Sequence, residues 1–548
     1  MLKMSQIVSL FLLATLLLAA QPSAAAEGIQ GRLASVAWLK ENQARPDLLI
    51  LDASPPPMHR QQHIVGAVNA NMLNFGPMEL SAAAMEKRLR AWGVSPGLQI
   101  VITDEGGSYW ATKLFWDLLH YGVPAESMLI LDGGLAKWQA SGGAVTKEPT
   151  PAPRPGTVSL STLNHDVRVR LPEFLAATSE PRQTVSLEAL EPSYFYGGAA
   201  FFNRGGHVPH ATLMPSTDFY NADKTFKSPQ EIQRMLKHLG VRPEQQVHTY
   251  CGGGGAAAVP FFALKFILNY PKVKLFQESQ FGWLQDERDL PLWSYSAPHL
   301  TRDTAWLKAW GSPMLKAFGL SRLSIVDVRP ADEFKLGHVP LAVNLPAPVF
   351  QKHPRSPEAL AALLAQAGVE RSNEAVVVSE GGLNENSALA YLVLESLGQQ
   401  KVSIYLDSVE RWAELGHELA KPAAAADAGK PALKSPASVS LYAAKSSADI
   451  LVSDPIKTQG LYPTVYVASG PRLPARAPQG PVLHLPYAQF LNANGTPKAA
   501  NDIWNTLVKA GVPRYAQVVL FADSLGEAAV NYVIFRLMGF TDLKVWAP

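Results

Sequence analysis

A single cysteine, Cys251, occurs in the 548-residue chain, directly after the apolar, strand-like run Val247-His248-Thr249-Tyr250. Gly252, Gly253, Gly254 and Gly255 follow it and lead into an apolar helix from Ala256. Glycine permits positive φ, so successive N–H groups in such a loop turn inward and form a cradle for an anion. The helix N-terminus adds the positive end of its dipole. Both effects favour a thiolate and predict a pKa below the free value of about 8.5. A lone thiol forms no intramolecular disulfide, which leaves a buried small hydrophobe or a reactive group; the loop favours the reactive group.

Such a loop needs a strand, a helix and a sheet edge to hold it, and the chain repeats that arrangement. Gln62-His63-Ile64-Val65-Gly66-Ala67, Gly206-His207-Val208-Pro209-His210-Ala211 and Gly337-His338-Val339-Pro340-Leu341-Ala342 share one pattern. Each follows a short apolar run and precedes a second one that ends in a special loop, beginning at Glu105, Cys251 or Glu380. From His to loop the spacings are 42, 44 and 42 residues, and from loop to a following tryptophan (Trp138, Trp283, Trp412) they are 33, 32 and 32. A fourth, worn copy closes the chain, with Ala522 at the loop position. Repetition at fixed spacing is the mark of a tandem architecture.

The copies span 27–145, 158–298, 302–420 and 439–548. The Pro-rich stretch Thr146 to Thr157 and the Ala/Pro-rich stretch Lys421 to Ser438 read as exposed linkers. Within a copy, strands alternate with helices. The expected class is α/β, each copy a mainly parallel sheet with helices on both faces.

Composition limits the function classes. Apolar residues make up 47% and charged residues 17%, which is too apolar for a disordered chain. Lys and Arg number 48 against 46 Asp and Glu, a net charge of +2, so the basic field that nucleic acid requires is missing. The start of the chain, with a basic n-region, the 14-residue apolar stretch Ile7 to Ala20 and the tract Ser23-Ala24-Ala25-Ala26, reads as a cleavable signal peptide over residues 1–26. That stretch is short for a membrane span of about 20 residues, and no later segment approaches one. An exported protein without a membrane span is expected, periplasmic in a Gram-negative host.

Taken together, Asp327-Val328-Arg329, Gly337-His338-Val339-Pro340, the Cys251-Gly loop with its helix, and Leu131-Asp132-Gly133-Gly134 before Trp138 resemble the rhodanese (sulfurtransferase) family. The resemblance covers nearly all of the mature chain as four tandem rhodanese-like units. It implies one active copy, with Cys251, beside inactive ones carrying Glu105, Glu380 and Ala522 at the cysteine position. It also implies double displacement: the Cys251 thiolate takes the outer sulfur of a small anionic donor such as thiosulfate or mercaptopyruvate, and a thiol or cyanide acceptor removes it from the persulfide. Gly252, Gly253, Gly254, Gly255 and Ala256 would bind substrate through their amides. No metal or other cofactor is implied, and no Cys/His cluster has ligand spacing.

The chain departs from the family pattern at three places. No basic residue lies at positions 252 to 258, so Arg204 is the nearest candidate in its copy to meet a donor's charge. The strand-end acid is Glu188, and the usual following Arg is Leu190. Residue 257 is Ala, which excludes the Cys-x5-Arg loop of phosphatases with this architecture. His63 is a further candidate, because this stretch faces the partner's active loop in two-copy sulfurtransferases. Copies one and two, Glu27 to Pro298, are the expected working pair, with copies three and four dispensable for chemistry. A non-catalytic binding or scaffold protein and a thiol-based handler of other chalcogens are the alternatives. N-terminal sequencing of the natively exported protein should begin at or near Glu27; retention of Lys3 to Ala20 would mean an anchored protein.

Overall fold

A computed structural model of the chain describes residues 28–71, 75–352, 357–421, 450–454 and 460–546. The signal segment 1–26 and nearly all of the second linker lie outside the described residues, and the copy expected at 439–548 is described in part. Described residues fall into two compact units. The first holds the chain to Glu191 with Leu213–Gln233 and Pro243–Leu290; the second holds Pro192–Thr212, Arg234–Arg242 and the chain from Pro291.

The first unit contains two mainly parallel sheets. In one, Leu48–Asp52 lies between Gln99–Thr103 and Val68–Asn69, and Met128–Leu131 extends the far side. In the other, Gln246–Tyr250 lies between Thr184–Glu188 and Val273–Phe276, in register so that Glu188 stands beside Tyr250. Runs such as Leu-Leu-Ile-Leu-Asp and Gln-Ile-Val-Ile-Thr are buried over their last three and four residues, as parallel strands covered on both faces are. The helices Trp110–His120 and Ala258–Phe262 pack together, with Phe115 edge-on to Phe262 at 5.1 Å.

The second unit repeats this plan with two five-stranded sheets, centred on Leu323–Asp327 with Glu374–Val378 and on Thr464–Ala468 with Gln517–Phe521. Helices Glu385–Ser396 and Leu525–Leu537 pack against each other, and each opens with a capping box, from Asn384 and Ser524.

The repeated His and Trp residues have one structural use. His63, His207 and His338 each stack on an aromatic ring, of His59, Phe195 and Phe334, and each Nδ1 meets that residue's carbonyl oxygen at 2.8, 2.8 and 3.0 Å. Their backbones pair antiparallel with the segment after the repeat's tryptophan, at Thr146, Trp293 and Ala420. The His therefore clasps the end of each repeat to its beginning. Trp138, Trp283 and Trp412 are buried core anchors.

Copies three and four are not independent of copy two, because short segments of copy two belong to the second unit. Tyr196 donates to Met538 O at 2.9 Å, Ser296 donates to the same oxygen at 3.1 Å, and Thr541 donates to His238 O at 2.7 Å. Met538 O keeps Ser296 as a donor when the Tyr196 hydroxyl is lost, so that loss costs about 0.5 to 1.5 kcal/mol, the net worth of one hydrogen bond. Tyr196→Phe should lower the denaturant midpoint of the full chain correspondingly, and a chain cut after Pro298 should unfold more readily still.

Candidate active site

Cys251 follows the last residue of its strand and is 2% exposed. The loop after it is built so that amides point at the sulfur. Its carbonyls are tied off by donors outside the turn: Cys251 O accepts from Gln280 N at 3.0 Å, Gly252 O from Phe281 N at 2.9 Å, Gly253 O from Gly76 N at 2.9 Å and Gly255 O from Ala258 N at 3.0 Å. With the oxygens held outward, Gly254 N reaches Sγ at 3.2 Å, and the N–H groups of Ala257 and Gly253 also favour the anionic sulfur. Gly254 lies at φ +86°, where a Cβ would also meet Gln277 O at 2.8 Å, so the turn closes only with glycine.

Ser279 supplies the anchor. It holds φ +51°, the left-handed region that a side chain rarely adopts, and Gly134 holds φ +55° at the matching place in copy one. The serine hydroxyl accepts from Cys251 N at 3.1 Å and donates to Phe276 O at 2.7 Å. The strained backbone thus fixes the start of the cradle.

Desolvation reverses one expectation from the sequence. Burial pushes the Cys251 thiol above its ordinary pKa; the amides of Ala257, Gly253 and Gly254 pull it down and the charge of Glu188 adds to the rise. The loop amides offset burial without overcoming it. Glu188 itself is fully buried, which pushes its carboxyl up to about 8, against hydrogen bonds from Tyr250 and Gln280. The comparison with the other copies explains this. At the same strand end, Asp52 meets His59 Nδ1 at 2.6 Å and Asp327 meets Arg329 at 2.7 Å, whereas Glu188 meets the neutral Tyr250 hydroxyl and the Gln280 amide, the latter at 3.3 Å. At neutral pH Glu188 therefore stays protonated and adds no charge beside the sulfur.

Copy one contributes directly to the loop's surroundings. A Cβ at Gly255 would lie 2.8 Å from Tyr109 Cε2 and 3.1 Å from Phe75 Cε1, so both rings rest on the loop. Gln277 Nε2 donates to Gly76 O at 3.3 Å and Met78 O at 3.1 Å. An ion-pair cluster holds the same segment down: Arg168, 4% exposed, reaches Glu79 at 2.7 Å and Glu278 at 2.8 Å. Against the cost of burial, the hydrogen bond from His120 and the charge of Arg168 keep the Glu79 carboxyl at about 2. Lys113 of copy one is 0% exposed, paired with Asp117, and burial pushes its ammonium down.

Of the remaining candidates, Gly252, Gly253 and Ala256 lie on the loop as read from the sequence. Arg204 is half-buried on the segment Pro192–Thr212 and so belongs to the second unit. His63 is 1% exposed in its clasp, with Nε2 facing Thr150 Oγ1 at 3.3 Å. Sequence reasoning missed Phe75, Tyr109, Gln277, Ser279 and Gln280. Only Ser279 left a signal, standing where copy one has Gly134.

The Rhodanese-like domain family model matches residues 35–141 and 313–415. A probable 3-mercaptopyruvate sulfurtransferase of Pseudomonas aeruginosa is 28% identical over 291 residues, covering 47% of this chain and 96% of that protein. The thiosulfate sulfurtransferase of Azotobacter vinelandii is 25% identical over 252 residues, covering 45% and 91%. Among solved structures, the 3-mercaptopyruvate sulfotransferase SseA from Escherichia coli is 24% identical with a TM-score of 0.41, covering 46% of this chain and 99% of that one.

The buried acid gives a pH signature. A carboxyl raised from 4.5 to about 8 on folding stabilises the fold fully below pH 4.5, and that contribution is lost as pH rises through about 8. Glu188→Gln should remove this slope, so its denaturant midpoint should exceed wild type by a margin that grows from pH 5 to 8 and then levels. The same variant should shift the pH profile of Cys251 alkylation to lower pH, because the opposing charge is gone.

Proposed function

We propose that this member of the rhodanese family is an exported sulfurtransferase whose working site is Cys251, with copy one as the wall of that site. The observation that carries the reading is the amide cradle: three N–H groups favour the anionic sulfur of the chain's one cysteine at a sheet edge. Similarity to mercaptopyruvate and thiosulfate sulfurtransferases supports the reaction class.

The chemistry is double displacement. The Cys251 thiolate attacks the outer sulfur of a donor, the bond from that sulfur to the rest of the donor breaks, and sulfite leaves when the donor is thiosulfate. A Cys251 persulfide remains. A thiol or cyanide then attacks the outer sulfur and releases the Cys251 thiolate. Both stages carry negative charge on sulfur, where amides fixed in advance stabilise it without reorganising. Glu105 and Glu380, at the matching positions of their copies, form no persulfide and serve as structure.

Incubation with thiosulfate or mercaptopyruvate should add the mass of one sulfur atom to the Cys251 peptide, and cyanide should remove it. Cys251→Ser should abolish both the adduct and sulfite release from thiosulfate while keeping the wild-type circular dichroism spectrum. Activity within a few-fold of wild type in that variant would sink the mechanism.

A further inference from the structure

The surroundings of the cradle select among donors. Phe75 and Tyr109 rest on the loop at Gly255, and Trp110 continues the wall, its ring 4.6 Å from Tyr109 and edge-on to Phe75 at 6.1 Å. All three are partly exposed, so ring surface remains to be covered. Tyr109 lies within electrostatic reach of both the Cys251 sulfur and Glu105, the first residues of the two loops.

Charge points the same way. Positions 252 to 258 carry no basic residue. Among the described residues of the first unit, the buried cations near the loop are committed: Lys113 to Asp117, and Arg168 to Glu79 and Glu278. Lys224 lays its side chain along Gly106 and Gly107 of the copy-one loop, where Asp104 and Glu105 stand. Glu188, protonated at neutral pH, supplies no positive charge near the sulfur. A dianion placed here meets amide dipoles, aromatic rings and acids, and a dianion loses more hydration than a monoanion on entering such a site.

We infer that the Cys251 site takes its sulfur from an organic donor of low charge, whose apolar or aromatic group covers Phe75 and Tyr109, in preference to the thiosulfate dianion. This rests on the reading of Cys251 as a sulfur carrier and adds the substrate class. With an organic thiosulfonate, R–SO2–S⁻, the Cys251 thiolate attacks the terminal sulfur, the S–S bond breaks, and the sulfinate R–SO2⁻ leaves with the electron pair. The product is the same persulfide as with thiosulfate. Phe75 and Tyr109 touch R and set specificity.

The test uses the full chain and three donors: thiosulfate, methanethiosulfonate and benzenethiosulfonate. The first step is read as sulfur added to Cys251 by intact mass under single turnover. Rates per unit donor concentration should rise in that order, with about tenfold between the two thiosulfonates if ring packing contributes as aromatic pairs do. Because the phenyl and methyl donors also differ in intrinsic reactivity, the deciding quantity is their ratio in variants. Tyr109→Leu and Phe75→Leu, which keep apolar volume, should each narrow that ratio several-fold; Tyr109→Phe, which keeps the ring, should restore it. Thiosulfate outpacing both organic donors, or a ratio unmoved in both leucine variants, overturns the inference while leaving Cys251 a sulfur carrier. Failure of every donor to load Cys251 overturns the carrier reading and this inference with it.

Discussion

The one cysteine sulfur is shielded from water and faces peptide N–H groups, and much of the first unit holds those groups in place. Removing a charge from water is costly unless dipoles replace the lost solvent. Here the replacement is peptide N–H groups, and they point inward only because the carbonyls between them are bound elsewhere. Gln280, Phe281 and Gly76 hold three of those carbonyls, from two different copies of the repeat. The left-handed Ser279, the glycine at 254 and the ion-pair cluster at Arg168 follow from the same need, since each fixes a partner of the loop.

The packing of copies one and two on each other recurs in the second unit, where the described residues hold no thiol. The turn Asn221 to Thr225, closed by Asn221 on Thr225, lays Lys224 on Gly106 and Gly107; the turn Asn492 to Thr496, closed in the same way, lays Gly495 on Gly382, and Leu383 N donates to Gly495 O at 2.9 Å. Glu385 of one copy accepts from Ser524 and Tyr487 of the next. Pairing is thus a packing habit of the repeat, and in the first unit it surrounds the loop of Cys251.

What the sequence disclosed was the part encoded by spacing. The loop, its strand and helix, the buried tryptophans and the α/β layering follow from local pattern, and the recurring His shows in the structure as a clasp in all three copies. Contacts between copies were not legible, because nothing near Phe75 or Tyr109 in the chain says that it will meet Gly255. The direction of the Cys251 pKa was misread for a related reason: amide dipoles can be inferred from four glycines, whereas desolvation depends on everything packed around them. Glu188 stood out as a replaced Asp, and the loss of the following Arg at Leu190 gained its meaning only once the acid was seen buried with neutral partners.

The division of copy two between both compact units bears on how such a chain can change over time. Duplication copies a stretch of sequence, and the period of this chain is one repeat long. The segments at Tyr196 and His238, however, find their hydrogen-bonding partners some 300 residues away, on Met538 and Thr541. A repeat excised and moved as a cassette would leave those groups unpaired in the donor and unsatisfied in the recipient. The unit that heredity copies and the unit that folding stabilises have therefore drifted apart, and the second copy is held in place by both of its neighbourhoods.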